Sequence, residues 1–218
     1  LRVLAHLAED PIMTEAFINN EDIHAVTASK ILGIPINELT KDERNSAKAI
    51  NFGIVYGMSE FTLSKDLNIS FKAAKEYMDE YFNKYSGVRD YLEFLKKFAK
   101  EKGYVTTILN RIRYIHELKS PQALIRQFGE RAAMNTPVQG SAADIMKFAM
   151  VRVYNRLKAE NLKAQLILQV HDELIIEAPE DEKDAVCNIL KYEMENAVKL
   201  SVPLVVDMAW GKSWYDAK

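Results

Sequence analysis

Residues 166–179 read LILQVHDELIIEAP, two apolar runs that enclose the polar triplet His171, Asp172 and Glu173. Short runs of aliphatic and β-branched side chains are typical of strands, and a brief polar connection between two of them is typical of a hairpin. Consecutive strand residues point to opposite faces, so the two carboxylates converge only where the backbone turns. The stretch therefore predicts an antiparallel hairpin with an acidic tip.

The chain around this hairpin has two different characters. Segments 163–170, 173–178 and 202–210 are rich in strand-forming residues, and a helix is expected between the last two at about 181–200. Most of the first 160 residues have helical periodicity instead. We therefore predict an α+β fold in which a mostly helical lobe precedes an antiparallel sheet covered by helices.

Capping residues and glycines indicate where the helices begin and end. Asp10 followed by Pro11 predicts a helix start, and Thr40 with Glu43 forms a capping box that predicts a helix over about 41–53. A short hairpin is expected around Asn110. The other predicted helices cover residues 22–32, 71–85, 88–102, 121–135 and 141–161.

Composition limits the possible classes of protein. The 218 residues carry a net charge of −2, so only local clusters of cations could bind a polyanion. Cys187 is the only cysteine, which excludes an intramolecular disulfide and fits a reducing cytoplasm. No apolar run approaches the roughly 20 residues of a membrane span. The chain begins at Leu1 in helical periodicity, and we expect it to be a segment of a longer protein.

The capped helix places cations and aromatic rings on one side. Arg44, Lys48 and Phe52 are four residues apart, so they lie within an arc of about 80°, and Tyr56 follows just past the predicted end. Arg and Lys in this arrangement suit the phosphates of a nucleotide, and an aromatic ring suits its sugar or base. The alternative is a solvated basic face that ends in a core Phe. His24, near another helix start, is either an anion contact or an ordinary polar residue.

The acidic tip has a structural and a chemical interpretation. A charged turn is the structural one, although His-Asp-Glu has no residue that favours positive φ. The chemical one is a Mg²⁺ site, because Mg²⁺ typically binds one or two carboxylates together with substrate phosphates. With the cationic helix it predicts a phosphoryl-type displacement at two metal ions roughly 4 Å apart.

Three motifs resemble those of the family A DNA polymerases. Residues 44–57, RNSAKAINFGIVYG, resemble the family's finger-helix motif, and residues 169–173, QVHDE, resemble its second carboxylate motif. Between them, residues 134–147, MNTPVQGSAADIMK, resemble the helix that follows the primer–template minor groove. The likeness covers essentially the whole chain.

The resemblance implies a role for each matching residue. His24, Arg44 and Lys48 would bind the triphosphate, with Lys48 also catalytic. Phe52 would pack on the incoming sugar and base, and Tyr56 would lie beside the templating base. Residues that would contact the primer–template are Arg131, Asn135, Gln139 and, at the primer end, His171. Asp172 would be a catalytic metal ligand and Glu173 a second carboxylate at the metals.

The resemblance also implies an organisation and partners. Residues 1–15 would be a palm remnant helix, 16–125 the fingers and 126–218 the palm of a right-hand polymerase acting in DNA replication and repair. The implied partners are primer–template DNA, dNTPs and the rest of the polymerase, with two Mg²⁺ ions as cofactors and no membrane. The expected location is the bacterial cytoplasm, at the nucleoid.

The chain departs from the family pattern at its start. The strand ending in Asp-Tyr-Ser-Gln-Ile-Glu, whose Asp is the other metal ligand, would precede Leu1 and is absent, as is the thumb. We therefore expect no nucleotide incorporation by the 218 residues alone. The alternatives are a non-catalytic module that binds primer–template DNA and a single-subunit RNA polymerase.

Overall fold

The computed structural model of the protein describes residues 1–217, apart from the side chain of residue 31. The described residues form nine α-helices and two antiparallel β-hairpins, which confirms the predicted α+β class. None of these helices is both long enough and apolar enough to cross a membrane. The helices are α1 Arg2–Ala8, α2 Pro11–Ile18, α3 Ile23–Leu32, α4 Lys41–Val55, α5 Glu60–Asp66, α6 Phe71–Lys84, α7 Ser86–Lys102, α8 Ala123–Ala159 and α9 Lys183–Glu195.

The chain divides into two compact units, Leu1–Gly140 and the residues from Ser141 onward. The first unit contains α1–α7, the first hairpin and the first half of α8. The second contains the rest of α8, the second hairpin and α9.

Most helix starts are where the capping residues predict them. The Thr40 hydroxyl accepts a hydrogen bond from Glu43 N at 3.3 Å, while the Glu43 carboxylate accepts one from Thr40 N at 2.8 Å. This reciprocal pair satisfies two backbone donors that the first turn of α4 leaves free. Helix α4 ends at Val55, two residues beyond the predicted end, with Tyr56 as its C-cap. Gly33 and Gly103 end α3 and α7 in the left-handed conformation.

Asp10 joins the starts of two helices that are far apart in sequence. One oxygen of its buried carboxylate accepts from Met13 N at 2.8 Å and caps α2. The other oxygen accepts from Gly87 N at 2.9 Å and Val88 N at 3.3 Å, in the first turn of α7. A Cβ on Gly87 would lie 2.8 Å from Asp10 Cα, so only glycine allows this close approach. The link closes residues 10–88 into a loop that contains α3 and α4.

The prediction of two helices between residues 121 and 161 is wrong, because α8 is a single helix with Pro137 inside it. A proline removes one backbone hydrogen bond and crowds the preceding turn, which costs about 3 kcal/mol. Burial offsets that cost, because every fourth residue of α8 over this region is buried. That set is Ala133, Pro137, Ser141, Ile145, Ala149, Val153 and Leu157.

Both predicted hairpins form. Strands β1 Tyr104–Thr106 and β2 Ile112–Tyr114 pair in the first unit, and β3 Gln165–Val170 pairs with β4 Glu173–Glu177 in the second. The expected third strand over 202–210 is not formed. Pro203 has no N–H for a ladder, and Val206 N donates instead to the Glu195 carboxylate at 3.1 Å. Strand propensity alone therefore does not produce a strand where no edge pairs with it.

The second hairpin is fixed to its own unit by packing and by one carboxylate. Leu174 of β4 is buried with Val153 and Leu157 of α8 and with Ile189 of α9. The two oxygens of Glu182 accept from the consecutive N–H groups of residues 163 and 164, each at 2.9 Å. The acidic tip is therefore carried on a hairpin that is held at its base.

We expect Asp10→Ala to destabilise the protein by about 3 kcal/mol, because it removes an N-cap and leaves the buried Val88 N–H and the partly buried Gly87 N–H without this acceptor. Chemical denaturation measures this free energy of unfolding. Asp79→Ala, which removes an exposed carboxylate from α6, is the matched control and should change it by less than about 0.5 kcal/mol. A loss below about 1 kcal/mol for Asp10→Ala would contradict the role of this link.

Candidate functional site

The side of α4 that the sequence singles out carries two cations and an aromatic cluster. Lys48 is exposed and Arg44 is partly exposed. The Phe52 ring lies 5.8 Å from the Tyr56 ring, nearly parallel to it at 27°, and 5.8 Å from the His24 ring of α3. The structure therefore brings His24 to the predicted face, which joins residues from two helices and which we call the α4 face (His24, Arg44, Lys48, Phe52 and Tyr56).

Asp22 holds this face in place through both of its carboxylate oxygens. One oxygen accepts from His24 N and from Ala25 N, each at 3.1 Å, and so caps α3. The other accepts from Arg44 Nε. Burial would raise the pKa of Asp22, but the hydrogen bonds from Arg44 and Ala25 outweigh it and hold the pKa below its usual value. The carboxylate is thus charged at neutral pH and fixes Arg44 beside His24.

His24 is kept neutral by its surroundings. Burial is the largest influence and lowers the pKa of its imidazole, the Asp22 carboxylate opposes this, and Arg44 and Lys48 lower the pKa further. A neutral imidazole donates one hydrogen bond and accepts one. Next to two cations, it adds a directional donor to an anion site without adding a third charge.

The fully buried side-chain amide of Asn51 contacts the His24 imidazole. Asn51 of α4 has no exposed surface, and its Nδ2 lies 3.0 Å from His24 Nδ1. Its Oδ1 has no hydrogen-bond partner among the residues that the structure describes. Helices α3 and α4 pack against each other, so this contact lies inside their interface.

The α8 residues singled out by sequence also lie on one side of their helix. Arg131, Asn135 and Gln139 are four residues apart; Gln139 and Arg131 are exposed, and Asn135 is half-buried. Arg131 packs against the turn that follows Tyr56, where a Cβ on Gly57 would lie 3.1 Å from Arg131 Cγ. Gly57 has φ +82°, which a residue with a side chain rarely adopts. Arg131, the first residue of this row of three (Arg131, Asn135 and Gln139), therefore lies at the end of α4.

The acidic tip is tighter than predicted. Val170 and Glu173 pair across the hairpin, so the turn consists of His171 and Asp172 only, and Glu173 is the first residue of β4. His171 has φ +49°, and its carbonyl accepts from Gln169 Nε2 at 2.7 Å. All three residues of the triplet are exposed. The strand geometry thus directs Asp172 and Glu173 into solvent at the end of the hairpin.

The chemistry of these two donors fits a hard divalent cation. Carboxylate oxygens are ligands that Mg²⁺ prefers, and Mg²⁺ typically takes one or two of them and completes its shell with water and phosphate oxygens. No group of three or more His, Cys, Asp or Glu residues able to hold a metal is found within residues 1–217. The tip therefore offers two protein ligands rather than a complete protein cage.

Two polar residues of the site, Asp22 and Asn51, were missed by the sequence reasoning. A signal for Asp22 existed, because an acidic residue directly before a helix is a common N-cap. Sequence periodicity places Asn51 among the apolar positions of α4. No local signal marked it, because its hydrogen-bond partner lies in another helix, α3.

The chain matches DNA polymerase family A over residues 1–216. It is 53% identical to DNA polymerase I of Caldicellulosiruptor bescii over 218 residues, all of this chain and 26% of that protein. It is 52% identical to DNA polymerase I of Bacillus caldotenax, again over the whole chain and over 25% of the relative. The chain thus spans about a quarter of the length of these curated relatives.

A solved structure shows the same fold. The POL domain of Pol1 from M. smegmatis, in complex with DNA primer-template and dNTP, superposes with a TM-score of 0.94. The two are 42% identical, and the match covers 99% of this chain and 38% of that one.

We expect the His24 imidazole to titrate below the usual pKa of about 6.5, and its pKa to rise in Lys48→Met, where a neighbouring positive charge is lost. Asp22→Asn should shift the pKa downward. NMR of the ring protons as a function of pH measures both changes. Lys97→Met, on exposed α7 surface, should leave the titration unchanged. A His24 pKa above 6.5 in the unmodified chain would refute this account of the site.

Proposed function

This chain belongs to DNA polymerase family A, and on that premise we propose that it supplies the nucleotide-binding face and an acidic catalytic tip for template-directed DNA synthesis. The reaction is nucleotidyl transfer from a dNTP to a primer 3′-hydroxyl. The observation that carries the proposal is the α4 face, where Arg44, Lys48 and a neutral His24 adjoin two stacked rings. The M. smegmatis relative, solved with DNA primer-template and dNTP, supports it.

The α4 face binds the incoming nucleotide. Arg44 offers a planar fork and Lys48 a mobile point charge to the phosphate oxygens, and His24 adds a neutral donor. Phe52 packs on the sugar and base, and Tyr56, stacked on it, lies at the templating base. Because Asp22 and Asn51 already hold Arg44 and His24, little ordering remains when the nucleotide arrives. Movement of α4 onto the nucleotide is the step that selects it.

The row on α8 contacts DNA. Arg131, beside the end of α4, contacts the primer–template nearest the new base pair, followed by Asn135 and Gln139. The Asn135 amide has a buried Oδ1 without a partner among the described residues, so this oxygen can accept a hydrogen bond from DNA or from ordered water. Gln139 reads minor-groove acceptors through its amide N–H group. His171 lies by the primer end.

The acidic tip holds the metal. Asp172 is the metal ligand and Glu173 the second carboxylate of a Mg²⁺ site that contains two ions. These ions, when bound, lower the pKa of the attacking hydroxyl and neutralise the charge that develops on the leaving pyrophosphate. The contribution of the hairpin is to present both carboxylates at a fixed, solvent-accessible point.

We further propose the organisation that the family implies. Residues 1–15 are a palm remnant, 16–125 the fingers and 126–218 the palm, and the rest of a polymerase in the bacterial cytoplasm completes the site. The 218-residue chain alone should not incorporate nucleotides, because the Asp-Tyr-Ser-Gln-Ile-Glu motif, whose Asp the resemblance makes the other metal ligand, does not occur in these 218 residues. Primer extension by the purified 218-residue chain would overturn this statement.

In the full-length gene product, Asp172→Asn should reduce nucleotide incorporation by far more than tenfold, because the neutral amide lacks the negative charge of the metal ligand that it replaces. Primer–template affinity should be nearly unchanged. Single-turnover extension and a DNA-binding titration measure the two effects. Asp181→Asn, also exposed but away from the tip, is the control; a loss below roughly tenfold, or 1.4 kcal/mol of barrier, would exclude Asp172 as the ligand.

Lys48→Ala should lower kcat/KM for dNTPs by roughly tenfold or more, because it removes a cation from the triphosphate contact. DNA affinity should change less than twofold. Steady-state kinetics with varied dNTP, beside a DNA titration, separates the two. Lys41→Ala, in the exposed first turn of the same helix, serves as the control. An effect confined to DNA affinity would reassign the α4 face to the duplex.

A further inference from the structure

The polar residue Asn51 occupies an otherwise apolar position. It lies on the buried side of α4 with Ala47, Ile50, Ile54 and Val55, each of which is at most 5% exposed, and Asn51 itself is 0% exposed. Burying an amide in apolar surroundings costs free energy unless its hydrogen bonds are satisfied. A leucine of similar size would avoid that cost, so stability does not account for the asparagine.

The one hydrogen bond that the Asn51 side chain makes among the described residues is to His24. Its Nδ2 lies 3.0 Å from His24 Nδ1, while its Oδ1 has no partner among the described residues. The amide nitrogen therefore donates to the imidazole, while the amide oxygen accepts no hydrogen bond from the described residues. That imbalance is typical of a group kept for function, since a buried polar atom without a partner destabilises the fold.

The direction of this hydrogen bond determines where His24 carries its proton. An amide nitrogen only donates, so Nδ1 must offer a lone pair, and a neutral imidazole then has its proton on Nε2. We propose that Asn51 is a positioning residue that holds His24 in the Nε2–H tautomer, so that His24 presents an N–H donor to the triphosphate. This inference deepens the function proposed above and rests on it.

The electrostatics around His24 make the tautomer matter. Arg44 and Lys48 both act on the imidazole and disfavour a second proton on it. A neutral ring has one N–H, and a ring with its proton on Nδ1 would turn a lone pair on Nε2 toward any anion bound there. That lone pair would repel phosphate oxygens. Asn51 thus selects between a ring that attracts the nucleotide and one that repels it.

The tautomer can be measured directly on the 218-residue chain. Long-range ¹H–¹⁵N NMR distinguishes a protonated from an unprotonated ring nitrogen, and His24→Gln assigns the His24 signals among the four histidines. We expect His24 to be protonated on Nε2. Asn51→Leu should give a mixture of tautomers, and Asn51→Asp, whose carboxylate only accepts, should draw the proton to Nδ1. An Nδ1–H ring in the unmodified chain would overturn the inference.

Kinetics on the full-length gene product tests the consequence. Asn51→Leu should raise KM for dNTP roughly tenfold, with kcat changed less than twofold and DNA affinity unchanged. Its thermal stability should be equal to or higher than that of the unmodified protein, which separates positioning from support of the fold. Asn45→Leu, an exposed asparagine of the same helix, should alter neither KM nor the tautomer.

The outcomes separate this inference from the proposed function. If the unmodified protein incorporates dNTPs but Asn51→Leu has the same KM and the same tautomer, the inference is wrong and the function stands. If the unmodified protein does not incorporate dNTPs, the proposed function fails, and with it the role given to the tautomer. If Asn51→Leu loses stability, Asn51→Asp, which keeps the shape of the side chain, gives the deciding NMR result.

Discussion

The buried carboxylate of Asp10 is the interaction on which the first unit most depends. It accepts three backbone hydrogen bonds, one from the start of α2 and two from the start of α7, across more than 75 residues of sequence. Closing so long a loop costs chain entropy, and a charged acceptor aimed at two helix N-termini offsets that cost. Helices α3 and α4 lie within the closed segment, so the geometry of the α4 face rests on this link.

Within that loop, two polar side chains, Asp22 and Asn51, connect α3 with α4. Asp22 caps one helix and orients the arginine of the other, and Asn51 orients the histidine of the first. These contacts fix Arg44 and His24 in position before any ligand binds, which is the physical meaning of preorganisation. The Oδ1 of Asn51, without a partner among the described residues, is one of the observations behind the positioning role proposed above.

Local chemistry determined what could be predicted from the sequence. The capping box at Thr40, the N-cap at Asp10 and the hairpin around residue 110 each depend on neighbours in the chain, and all were predicted. Pro137 and segment 202–210 were predicted wrongly, because a buried row of residues along α8 overrides a helix breaker and a strand needs an edge to pair with. Asn51 was missed for a related reason, since its partner is 27 residues away. Long-range contacts therefore account for these three failures, whereas Asp22 was missed despite its local N-cap signal.

The acidic hairpin shows how strain can indicate function. A two-residue turn with positive φ at its first position favours glycine or asparagine, yet His171 occupies it with φ +49°. The penalty for such a residue is on the order of 1 kcal/mol. His171 and Asp172 are both exposed, so burial at the turn offers little to offset this penalty. The turn instead places Asp172 at the outermost point of the hairpin, with Glu173 paired directly behind it. The function proposed above would account for this penalty, because a catalytic metal ligand at the tip would lower the reaction barrier by many times as much.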